Sequence, residues 1–257
     1  MEESINQYFN SFKDRNKASL KKFYARLPYF PALKNKIVLD FACGTGELAE
    51  SLVLKNAKKV IGIEKNKDLV KFCQNRFQNI SHDQLEFIDM DISYFESGSI
   101  DIIFCKDSFE HFKDPLHILD NFYRILRPGG EAVLSIGPLW SSVFGDHQLL
   151  KNSLGFSLPW LHVALGEGLV TRLFNNSSLT EKKYFQVKKI EDIRDYLNLW
   201  NSTMFEEMFE KSPFEIISIN KNVHENGFVN FVGQLNVPKN LEKYWVRNLY
   251  VYLRKPI

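Results

Sequence analysis

The sequence predicts an α/β fold: a doubly wound, mostly parallel seven-stranded sheet with an antiparallel terminal strand, an N-terminal helical arm and an inserted lid. Three observations predict it. Short apolar runs suited to buried strands recur at residues 37–41, 60–64, 85–89, 100–105 and 132–136. Helix-like stretches at 46–55, 68–77 and 116–126 fall between them, and strand-helix alternation of this kind builds a parallel sheet covered on both faces. Two further strand-like runs, 214–220 and 248–254, arrive after the alternating units and are expected to close one edge of the sheet.

Taken in chain order, residues 1–31 form the arm. Ile5, Tyr8, Phe9, Phe12, Leu20, Phe23 and Tyr24 recur at helical spacing, and Pro28 and Pro31 stop the helix. Residues 32–136 hold the alternating core. Residues 137–189 break the pattern with Pro138, Trp140, Gly145, Pro159, Trp160, Gly166 and Gly168, and are read as an inserted lid or substrate-side subdomain. Residues 190–257 resume regular structure, with a helix expected over 190–210 and Pro213 separating it from the first closing strand.

Composition narrows the function classes. The chain has 257 residues, 44% of them hydrophobic, enough for one large core with an insertion. Its formal charge is only +2 with both signs interspersed, so no nucleic-acid partner is expected. The start, "MEESINQYFN", lacks the basic and apolar regions of a signal peptide, and residues 156–170 are broken by Pro159, His162 and Glu167. A soluble, cytoplasmic protein without a transmembrane segment is expected. Cys43, Cys73 and Cys105 are odd in number and widely spaced, which argues for a reducing compartment and against a disulfide framework or structural zinc site.

The stretch "VLDFACGTGELAE" at residues 38–50 is the most informative. The first strand-to-helix turn of a doubly wound sheet lies where ligands bind, and Gly44 and Gly46 let the backbone approach one closely. "GTGELA" also satisfies a dinucleotide fingerprint, with Glu64 twenty residues after Gly44, so glycine spacing leaves the ligand open.

The flanking residues discriminate. The run D-x-A-C-G-T-G over 40–46 resembles the first motif of class I S-adenosylmethionine (SAM) dependent methyltransferases, usually D-x-G-C-G-x-G. "VIGIEKN" at 60–66 resembles the second motif, "FIDMDI" at 87–92 the third, "SIDIIFCKDSFEHFKDP" at 99–115 the fourth strand and its loop, and "RILRPGGEAVLSI" at 124–136 the elements that follow. The resemblance is dense over residues 37–136 and loose over the two terminal strands. It implies a Rossmann-like fold and SAM as cofactor, with S-adenosylhomocysteine as its product. Carried onto matching positions, it assigns the cofactor to Asp40, Ala42, Cys43, Gly44, Gly46, Glu64, Lys65, Asp91, Ile92 and Lys106. Glu64 falls at the ribose, and Asp91 and Ile92 at the adenine. Ala42, where glycine is usual, permits a close backbone approach if its φ is negative. Lys106 is expected to pair with Asp107 or to point away from the sulfonium. The resemblance also suggests that the arm, near Tyr8 and Tyr24, closes over the cofactor.

The acceptor is less determined. "CKDSFEHF" at 105–112 lacks the N/D-P-P-Y/F signature of base and glutamine-amide methylation, and Cys105 is not followed by proline as a cytosine-directed nucleophile is. Residues 109–114 resemble the "leHvpD" loop of small-molecule, glycan and lipid methyltransferases. O-methylation needs a base that is neutral near working pH, which makes His147 the first candidate and His162 the second. Trp140, Asp146 and His111 are candidate substrate contacts, and aromatics at Phe205, Phe209, Phe228 and Phe231 are candidates to line a pocket. Spacing alone does not assemble Asp146, His147 and His162 into a metal site, and no metal is expected. The expected partner is a small-molecule, glycan or lipid-linked acceptor. N-methylation of an amine, a non-catalytic SAM-binding partner module and, more remotely, a nicotinamide dehydrogenase stay open.

Overall fold

The computed structural model describes residues 13–176, 189–223 and 238–257. Its centre is a seven-stranded sheet in the order β3-β2-β1-β4-β5-β7-β6. Helix α1 (Lys13–Arg26) precedes β1 (Ile37–Phe41), α2 (Glu47–Leu54), β2 (Lys59–Ile63), α3 (Lys67–Arg76) and β3 (Leu85–Ile88). Then come β4 (Ile100–Lys106), α4 (Pro115–Ile125) and β5 (Leu126–Ile136). Residues 137–176 contribute α5 (Leu149–Leu154), α6 (Leu161–Leu165) and α7 (Glu167–Asn176), and the chain ends with α8 (Ser202–Lys211), β6 (Glu215–Val223) and β7 (Val246–Arg254).

Local chemistry explains the boundaries. Asn66 accepts from the N–H groups of Asp68 and Leu69 and so starts α3. Asp114 accepts from His117 N, and Pro115 sits in the first turn of α4, where its missing N–H costs nothing. Strands β1 and β4 are almost wholly buried, which is why they read as continuous apolar runs rather than alternating ones. They pair in parallel, Leu39 beside Ile103 and Phe41 beside Cys105, and the chain leaves them on opposite sides. That switch point opens a crevice at their carboxyl ends. The two faces carry separate cores, one around Phe109, Phe122 and Phe209 and the other around Phe72, Phe87 and Phe104.

The C-terminal strand β7 is antiparallel, as expected: it lies between β5 and β6, paired antiparallel with both, and β6 forms the edge. One expectation needs correction. The helix expected over 190–210 is shorter. A 3-10 turn at Ile193–Asp195 is followed by Leu199 at φ +57°, which no helix continues through, and Asn201 then caps α8 by accepting from Met204 N. Ile190, Ile193 and Leu197 instead pack with Leu149, Leu150, Val170 and Phe174 in a third small core. That core spans the expected lid boundary at residue 189. Residues 4–12 of the predicted arm helix, Tyr8 among them, and Phe228 and Phe231 lie outside the described residues.

Candidate active site

The first turn after β1 is built from left-handed backbone. Ala42, Gly44 and Gly46 have φ of +59°, +55° and +82°. The condition attached to Ala42 is therefore not met: it holds the conformation that the usual glycine adopts freely, at a cost of about 1–2 kcal/mol for an L-residue. Gly46 is irreplaceable for a second reason, since a Cβ there falls 2.7 Å from Phe77 and 2.9 Å from Phe87.

Two acids converge on this turn. Glu64, just past β2, accepts from Gly44 N at 3.1 Å through one oxygen and from Asn66 N at 3.0 Å through the other. Burial raises its pKa, an effect opposed by those N–H bonds. Asp40 on β1 is 1% exposed, and its Oδ2 has no hydrogen-bond partner. Burial, reinforced by Glu64 and Glu47 and opposed by Ala49 N–H and Lys106, pushes it up to about 7. Cys43 is buried behind the turn, where hydrogen bonding to Cys73 and burial push its thiol up, and Cys73 Sγ donates to Gly44 O at 3.3 Å. Lys65 is exposed beside Glu64. Asp91 accepts from Ser93 N at 2.9 Å at the head of a short 3-10 turn, with Ile92 buried beneath it.

Helix α1 reaches the same turn, on the side where the arm is expected to lie. Asn16 Nδ2 donates to Thr45 Oγ1 at 2.6 Å, and Tyr24 shares a short hydrogen bond with Ser51 of α2. Lys106 at the end of β4 donates to Ser19 Oγ at 2.8 Å and pairs with Asp107, as expected. Asp107 in turn accepts from Ser135 Oγ at 2.7 Å, tying the ends of β4 and β5 together.

The loop after β4 meets residues of the stretch between β5 and α8. Asn198 Nδ2 donates to Phe109 O at 2.7 Å and Phe112 O at 3.1 Å, and Asn198 N donates to Glu110 O at 2.8 Å, so one residue clamps the whole turn. His111 Nδ1 donates to Tyr196 O at 2.9 Å. His147 Nε2 donates to Pro138 O at 3.0 Å, and its ring meets His111 edge to face at 5.2 Å between centroids. Burial lowers His111 to about 4 and His147 to about 3, the latter helped by the neighbouring His111. His147 is thus neutral, as a base must be, but its hold on a proton is weak. His162 is fully buried and donates to Trp140 O at 2.6 Å, while its ring meets the Trp140 indole at 4.9 Å. Asp146 accepts from Leu150 N at 2.8 Å through Oδ2, while its buried Oδ1 has no hydrogen-bond partner. Asp146, His147 and His162 do not converge as a ligand group. Among the described residues the group that assembles is Glu110, His111 and His147.

Beside these residues lies a cavity of about 610 Å³ lined by Trp140, Trp200, Lys113, Arg194, Asn198 and Met204, among others. Its volume suits a small organic molecule. Lys113 pairs with Asp195 at 2.6 Å across its wall, and Arg194 pairs with Glu167.

The sheet order puts the glycine turn and its two acids at the switch point, the place where doubly wound folds bind ligands. Residues 39–134 match the family described as "Methyltransferase domain", which makes this part of the chain similar to SAM-dependent methyltransferases. Ubiquinone biosynthesis O-methyltransferase of Coxiella burnetii is 32% identical over 107 residues, 40% of this chain and 44% of that protein. The match thus spans less than half of the relative's length. Two solved structures share the fold over nearly the whole chain. One is a complex between the Haloferax volcanii Trm112 methyltransferase activator and a methyltransferase, with TM-score 0.59, 15% identity and coverage of 99% and 96%. The other is a SAM-dependent methyltransferase of Mesorhizobium loti, with TM-score 0.55, 13% identity and coverage of 91% and 96%. No helix among the described residues is long and apolar enough to cross a membrane.

The residues present fit SAM. An unpartnered buried carboxylate oxygen suits a cationic ligand, and a second acid tied to the glycine turn suits ribose hydroxyls.

Proposed function

We propose that the protein transfers the methyl group of SAM to an oxygen of a small molecule or of a glycan- or lipid-linked intermediate. The observation that carries this reading is the pair of acids at the glycine turn: Asp40 with a buried, unpartnered oxygen, and Glu64 bonded to Gly44. When bound, SAM supplies a methyl group activated by its sulfonium. The chain's own work is to hold and orient. Asp40 and Glu64 face the cation and the ribose, Asp91 and Ile92 the adenine, and Asn16 and Ser19 of α1 close over the turn and Lys106. Apolar side chains beneath the site, Phe41, Phe109 and Phe122, keep water out from below.

Oxygen as the acceptor is supported by the O-methyltransferase of Coxiella burnetii. The cavity supports a ring-sized acceptor, since Trp140 and Trp200 offer flat apolar surface while Lys113 and Arg194 offer charge. In this reading residues 137–189 serve as the lid. The acceptor must also lose a proton, and the two sequence candidates are poorly suited: His147 is held near 3, and His162 is buried against Trp140.

The test is calorimetric titration with SAM, with S-adenosylhomocysteine and with NAD. Micromolar binding of both adenosyl ligands and none of NAD is expected, followed by transfer from labelled SAM to a hydroxylated acceptor. Preference for NAD, or indifference to all three, overturns the reading. Transfer confined to amines leaves the cofactor in place and removes oxygen as the acceptor.

A further inference from the structure

Glu110 and His111, in the loop after β4, meet His147, in the loop after β5. One ligating atom from each lies within 4.8 Å of the other two. From this juxtaposition we infer that the three side chains form a binding site for a divalent transition-metal ion, with zinc the first to test.

Three independent features point the same way. Glu110 is 3% exposed, and its Oε2 has no hydrogen-bond partner, a costly arrangement unless something cationic or proton-bearing meets it. Both histidines are oriented from behind by backbone carbonyls. His111 Nδ1 donates to Tyr196 O and His147 Nε2 donates to Pro138 O. In a neutral imidazole the opposite nitrogen then carries the lone pair, which is how metal-binding histidines are held in most sites. Finally, the loop carrying two of the ligands is clamped by Asn198 through Phe109 O, Phe112 O and Glu110 O, so its backbone is held in place before any ion arrives.

Ligand chemistry chooses the class of ion. Two imidazoles and one carboxylate suit zinc, manganese, iron or cobalt in the divalent state rather than magnesium or calcium, which favour all-oxygen sites. Metal–ligand distances of about 2.0–2.2 Å require the donors to close up by roughly 1 Å from their widest spacing. Side-chain rotation supplies a movement of that size. Three protein ligands leave a coordination position unfilled, the pattern of catalytic rather than structural zinc sites. The site stands at the carboxyl ends of β4 and β5, on the same side of the sheet as the cofactor turn. If the methyltransferase reading holds, the unfilled position is suited to the acceptor's oxygen, whose proton would then leave more readily to water without a histidine base.

The experiment uses the full chain stripped with chelator, titrated calorimetrically with zinc chloride and, separately, with cobalt chloride followed by visible absorption. One equivalent of zinc is expected to bind, cobalt to give d–d bands of a nitrogen and oxygen site, and both to raise the melting temperature. Glu110→Gln preserves volume and is expected to weaken zinc by more than about 100-fold, beyond what losing an outer-shell partner costs. His111→Ala and His147→Ala are expected to do the same. SAM titration of each variant reports whether it is folded. Failure of the wild-type chain to bind stoichiometric zinc, manganese or cobalt overturns the inference. So does zinc binding that survives Glu110→Gln together with His147→Ala in a variant that still binds SAM. A chain that binds zinc but not SAM keeps this site and loses the proposed function, and one that binds SAM but not metal does the opposite.

Discussion

Glu64 accepts a hydrogen bond from the backbone N–H of Gly44 at 3.1 Å, so the acid at the end of one strand and the glycine turn at the end of its neighbour form a single unit. Cys43 N adds a second tie, donating to Ile63 O at 3.0 Å. A ligand that binds one half of this unit finds the other already placed.

Glu64→Gln should therefore weaken both roles. The amide has a single oxygen, so it keeps only one of the bonds from Gly44 and Asn66 and sets its NH2 against the other N–H, and charge-assisted bonding to ribose hydroxyls is lost. Such bonds contribute about 1.5–3 kcal/mol, which predicts SAM affinity lower by roughly 10- to 150-fold. Calorimetry on the variant checks this, and a thermal melt within a few degrees of the parent confirms that the loss is local.

Asp40 predicts a pH dependence. Its pKa is about 7 in the folded protein against an ordinary value of 3.8, so the folded state holds a proton that the unfolded state has released. Asp40 therefore makes stability fall as pH rises from about 4 to 7, with the penalty fully present above 7. A cationic ligand favours the ionised carboxylate, so SAM affinity should rise over the same window and binding should release a proton. Burial raises Glu64 as well, in the same sense. Asp40→Asn should flatten most of both trends, read from melting temperature and binding heat in buffers of different ionisation enthalpy.

Ala42 sits at φ +59° where the resembling motif carries glycine. Ala42→Gly relieves a left-handed penalty of about 1–2 kcal/mol and gives back about 0.5–1 kcal/mol in unfolded-chain entropy. The net expectation is stabilisation of about 0.5–1 kcal/mol, a rise of roughly 1–4 °C in melting temperature. A variant no more stable than the parent indicates that the alanine methyl is used in packing.

The strand alternation and the glycine turn with its acids were legible because each depends on residues close in sequence. Strands buried on both faces must be apolar throughout, and a turn at their ends must use small residues. Helix periodicity was a weaker guide. Ile190, Ile193 and Leu197 fall at helical spacing because they share one small core, yet Asn198 and Leu199 leave the helix to clamp the loop after β4. The grouping of Glu110, His111 and His147 was not legible at all, since it depends on how the chain turns after β5. Glu110 gave one usable signal: an acid adjacent to His111 in a loop between a buried strand and a helix.

The arm offers the last prediction. Helix α1 is anchored on the far side by Phe23, 2% exposed within the core, so deleting it would confuse stability with binding. Asn16 and Ser19 allow a cleaner test. Asn16 donates to Thr45 within the cofactor turn, and Ser19 accepts from Lys106 at the end of β4, so the helix bridges the two strand ends between which a cofactor would lie. Neither residue contributes to the buried core. Replacing both with alanine removes two hydrogen bonds that contribute about 1 kcal/mol each at most to a closed site. SAM affinity should fall by roughly 5- to 30-fold, with most of the change in the dissociation rate, because a cover slows escape more than it speeds entry. Displacement of labelled SAM by excess S-adenosylhomocysteine measures that rate directly, and an unchanged rate would mean that α1 packs beside the cofactor turn without closing it.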